Sequence, residues 1–171
     1  MKVRGDFVTN SSSSSFILAF KDKEDGLSQI ADMTHRYGSD YVGQLLADFQ
    51  DATPIPFDDI KAHCMGELES NASYILSYGE GGWWSNEKDT FEKRWKAEHP
   101  DATYADYYNS KEYQSELQRL ADQFAAELIE KIGERRYLVE LEYEDHTNVG
   151  SALEHDILPD CKFTVKRFSR H

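Results

Sequence analysis

Two acid-histidine pairs, Asp145-His146 and Glu154-His155, stand nine residues apart near the C-terminus, and His171 closes the chain. Imidazole and carboxylate together suit a divalent transition metal, which can activate water for attack on a phosphodiester or an amide. On this reading His146, His155 and His171 are metal ligands, and Asp145 or Glu154 is a further ligand or the general base. The spacing matches no established zinc pattern such as HExxH. A plainer reading gives Glu154 and His155 a place capping a short helical turn and leaves His146 exposed in a loop.

A second polar group is Asn10 with Ser11, Ser12, Ser13, Ser14 and Ser15. Hydroxyls and backbone N–H groups in such a run can line a polar pocket for an oxyanion or a phosphate. The alternative is an extended, solvated entry to a strand. A serine nucleophile finds no support, because no nearby motif supplies its base and GxSxG is absent. A third group, Gly79-Glu80-Gly81-Gly82-Trp83-Trp84, can present Trp83 and Trp84 on a flexible loop as a binding surface, or fold one ring into the core. Tyr104, Tyr107 and Tyr108 add to the aromatic surface. His35, His63 and His99 have no partners in sequence that suggest chemistry.

Asp6-Phe7-Val8-Thr9-Asn10, the five serines and Phe16 resemble a signature at the start of many uncharacterised bacterial, archaeal and phage-associated proteins. The segment Ser151-Ala152-Leu153-Glu154-His155-Asp156-Ile157 and the closing Ser169-Arg170-His171 are similar to that group's endings. The resemblance covers the two ends of the chain and carries no activity with it. Members of the group close on two histidines. Here Arg170 precedes His171, which counts against a metal site that needs both.

The length, 171 residues with 39% hydrophobic, suits one domain spanning residues 1–171 with a core of its own. No apolar run is long enough to span a membrane, and MKVRGDF leads into serines where a secretory signal needs an apolar stretch. A cytoplasmic protein is expected. Cys64 and Cys161 are too few for a disulfide scaffold and read as reduced thiols. The net charge is −13; residues 1–23 carry +2 and residues 162–171 carry +4, which leaves −19 for residues 24–161. Such a balance disfavours direct nucleic-acid binding through phosphate contacts. It points instead to a basic surface on a partner protein, as nucleic-acid mimics and anti-CRISPR-like inhibitors use. Aromatic content of 13% and periodic segments argue against disorder.

These residues must be held by elements that the pattern places as follows. Ser15 to Phe20 is apolar at nearly every position and predicts a central strand with both faces covered. Leu27 to Tyr37 and Tyr41 to Phe49 have helical spacing, with Gly38 as a C-cap between them. Asp58 can cap a third helix whose apolar side includes Ile60, Cys64 and Leu68. Alternation from Ser73 to Tyr78 predicts a strand with Tyr74, Leu76 and Tyr78 on one face. Asn86 caps a helix carrying Phe91 and Trp95, and Asn109 with Glu112 suggests a capping box for the longest helix, whose stripe runs from Tyr113 to Ile132. Tyr137 to Tyr143 and Phe163 to Phe168 are further strands. The terminal strands, mildly basic and carrying the resemblance, are candidates to pair. The sum is an α+β fold: a mostly antiparallel sheet of about four or five strands, packed by one long helix and several shorter ones. Two functions compete on this basis, an acidic interaction protein and a small metal-assisted hydrolase.

Overall fold

Phe16, Ile17, Leu18, Ala19 and Phe20 are all fully buried, which is why the chain uses them for the middle of its sheet. The structure, a computed structural model, describes residues 13–80 and 89–170. Their order is β1 (Ser13–Phe20), α1 (Lys23–Asp32), α2 (Thr34–Tyr37), α3 (Ser39–Asp51), α4 (Ile60–Tyr78), α5 (Phe91–Glu98), α6 (Tyr104–Asn109), α7 (Lys111–Ile132), β2 (Tyr137–Glu144), α8 (Asn148–Ala152), a π-helical turn (Leu153–Ile157) and β3 (Thr164–Arg170). The chain divides into two compact units, Met1–Asp58 with Ile132–His171, and Asp59–Lys131.

The first unit holds the sheet, in the order β2-β1-β3, with both pairings antiparallel. Among the described residues it has three strands, not the four or five expected, but the α+β class stands. The terminal strands do pair: Ser14 lies opposite Ser169 on one side and Tyr143 on the other. On one face of the sheet Phe16, Leu18 and Phe20 from β1 meet Val139, Leu141 and Tyr143 from β2. Ile30 of α1, Val42, Leu45 and Phe49 of α3, and Leu153, Ile157 and Leu158 complete this core. Each such side chain contributes about 1.5–3 kcal/mol on burial, so this face is a major source of the unit's stability. Phe20 sets its ring edge-on to Phe49 at 5.1 Å and against Phe163 at 4.9 Å. Gly38 ends α2 with φ 88°, a conformation that favours glycine, as its C-cap position required.

The second unit is helical. α4 continues without a break through Ser73 to Tyr78, where a strand was expected. The reason lies in its stripe of Cys64, Leu68, Ala72 and Leu76, buried at every fourth position, which extends the upstream helical period and outweighs three alternating residues. α7 is the longest helix, as expected. Its first turn is capped by Ser110, whose Oγ accepts from the Tyr113 N–H at 3.1 Å, in place of Asn109. The capping box sits one helix earlier, where Thr103 and Asp106 bond each other's backbone. Thr90 caps α5; Asn86, the expected cap, lies outside the described residues. Leu76, Trp95, Tyr107 and Tyr113 form the aromatic core that joins these helices.

Candidate functional site

Alternation along β1 sends Ser14 to the face that carries Phe16, Leu18 and Phe20, and Ser15 to the other. Both are fully buried. Ser15 bonds the Glu140 carboxylate from its neighbouring strand. Ser14 Oγ donates to Glu154 Oε1 at 2.8 Å and accepts from Arg167 Nε at 3.1 Å. Arg167 also reaches Glu154 Oε1 through its terminal nitrogen at 3.4 Å, and Ser169 Oγ stands 3.5 Å from Ser14 Oγ. Arg167 is opposite Phe16 in the register, so it meets Ser14 as a diagonal cross-strand neighbour.

Glu154 is fully buried in the π-helical turn. A wider turn of this kind often marks a position under functional constraint. Its Oε1 is satisfied twice over, whereas its Oε2 has no hydrogen-bond partner. His155 Nε2 stands 3.7 Å from that oxygen, on a side chain 42% exposed. This network joins the central strand, the last strand and the turn between them. Ser14 is committed on both sides, so it is placed as a structural joint and not as an open phosphate cradle. Glu154 and His155 occupy a helical turn, as the plainer sequence reading held, but Glu154 is buried inside it instead of capping it.

Next to this joint an open cleft of about 460 Å³ is lined by Gln44 and Asp48 of α3, Glu142, Tyr143 and Glu144 of β2, and His146, Thr147, Val149 and Gly150 beyond it. Tyr143, opposite Ser14 in the sheet, donates its hydroxyl to Asp48 Oδ2 at 2.7 Å. Burial, reinforced by that carboxylate, pushes the Tyr143 hydroxyl far above its usual range, so it stays protonated and keeps donating. His146 Nδ1 lies 2.8 Å from Glu144 Oε2. Thr147 caps α8 by accepting from the Gly150 N–H at 2.9 Å. A Cβ on Gly150 would stand 2.2 Å from the Glu144 carbonyl oxygen, so only glycine lets the turn fold back on the strand end. Three acidic residues and one histidine, with no Lys or Arg, are among the residues that line the cleft. It can therefore attract cationic groups.

The structure brings Ser14 and Glu154 together and sets His155 beside them. Ser13 begins β1, half-buried, and Asp145 and His146 follow β2 in the turn at the cleft. Asn10, Ser11, Ser12, Trp83, Trp84 and His171 lie outside the described residues. Among the described residues no three His, Cys, Asp or Glu side chains gather as a group able to hold a metal ion. Arg167, Asp48, Tyr143, Glu142 and Glu144 were not singled out from sequence. For Arg167 the available signal was its place in the basic last strand; for Glu142 and Glu144 it was their polar positions between the buried residues of β2. Among the described residues no helix is long and apolar enough to cross a membrane. No protein-family model, no curated protein and no solved structure matches the chain.

Proposed function

We propose that this protein is an acidic interaction protein that occupies a basic surface on a partner protein. The observation that carries the reading is the open cleft with Asp48, Glu142 and Glu144 on its walls, on a chain of net charge −13. Carboxylates on a concave, solvent-connected surface attract Lys and Arg side chains, speed encounter and make binding sensitive to salt. The buried joint of Ser14, Glu154 and Arg167 supports the reading by tying the turn that follows the cleft wall to β1 and β3, so that the acidic groups are held on rigid elements. The test is fluorescence anisotropy of a labelled Lys/Arg-rich peptide with the full chain. Binding is expected at low salt and weakens steeply as salt is raised, and Glu142→Gln with Glu144→Gln weakens it further. Duplex DNA serves as the control and does not bind. Absence of peptide binding at low salt removes the reading.

A further inference from the structure

We draw no further inference here: the strongest candidate, the fully buried Glu154 in the π-helical turn, whose Oε2 has no hydrogen-bond partner, belongs to the joint with Ser14 and Arg167 already described, and among the described residues no group able to hold a metal ion forms around it.

Discussion

Ser14 Oγ donates to Glu154 Oε1 across 2.8 Å, joining two fully buried residues that are 140 positions apart. The first strand and the turn before the last strand are thus fastened by a charged hydrogen bond inside the core, with Arg167 as the third member. A buried carboxylate is costly unless paired, so removal of any one partner leaves the others poorly satisfied.

The first prediction follows from that dependence. Glu154→Gln is expected to destabilise the fold by about 2–4 kcal/mol, since it removes the charge that Arg167 faces, and Ser14→Ala by about 1–3 kcal/mol. The double variant should fall short of the sum by about 1 kcal/mol or more, because the two groups share one network. Urea unfolding of the four proteins measures the cycle; strict additivity would show that the contact does not couple the strand to the turn.

Two glycines of the helices and one of the cleft divide cleanly. Nothing lies within 4 Å of a Cβ added at Gly43 in α3 or Gly66 in α4, and both are exposed in helix interiors. Gly43→Ala and Gly66→Ala should each stabilise by about 0.5–1 kcal/mol through helix propensity and a less free unfolded chain. At Gly150 the added Cβ meets the Glu144 backbone oxygen and, at 2.8 Å, Thr147 Oγ1. Gly150→Ala should cost about 2–4 kcal/mol or displace the turn that bears His146. Thermal melts of the three variants decide, and a stabilising Gly150→Ala would refute the packing described for the turn.

Much of the first unit was legible because its signals are local. The unbroken apolar run from Phe16 to Phe20 can only be a strand covered on both faces, and Tyr137, Val139, Leu141 and Tyr143 alternate as a sheet face must. Tyr74, Leu76 and Tyr78 gave the same alternating signal and misled, since in α4 Leu76 is buried at the end of a four-residue period while both tyrosines face outward. Removing that strand reduces the expected sheet to three. The candidate site was less legible for a different reason. Glu154 and the serine run were visible as unusual residues, but the bond between Ser14 and Glu154 depends on strand register, and the pairing of Tyr143 with Asp48 depends on where α3 lies across the sheet. Neither is encoded in the spacing of residues along the chain.

Cys161 gives the protein an alkaline limit. Burial, helped by the Asp160 carboxylate, pushes its thiol up from 9.0 to about 11, while Arg36 opposes. Because the folded value is raised, the stability linked to the protonated thiol is complete below about pH 9 and is lost as pH rises through about 11. Because the thiol is only partly buried and so partly screened, the loss should be about 1–2 kcal/mol. Tyr143 and Tyr107, raised mainly by burial, act in the same direction from higher pH. Melting temperature measured from pH 7 to 11 should decline from pH 9 onward, and Cys161→Ser should flatten the first part of that decline. A parent protein whose melting temperature holds constant to pH 11 would contradict this account of the thiol.

Tyr143 and Asp48 allow the fold and the proposed binding to be separated. The hydroxyl of Tyr143, on a residue only 8% exposed, holds α3 to β2 through Asp48 Oδ2 at the wall of the cleft. Tyr143→Phe removes that bond and should lower stability by about 1–2 kcal/mol while leaving every carboxylate of the cleft in place. Asp48→Asn keeps an oxygen to accept the bond, so it should cost less stability, yet it removes one negative charge from the cleft. Binding of a Lys/Arg-rich peptide should therefore respond in the opposite order: nearly unchanged for Tyr143→Phe, weaker and less salt-dependent for Asp48→Asn. Calorimetric melts and anisotropy titrations on the same two variants measure both quantities. If peptide affinity follows stability instead of charge, the cleft acts through its shape and the acidic groups are not what the partner meets.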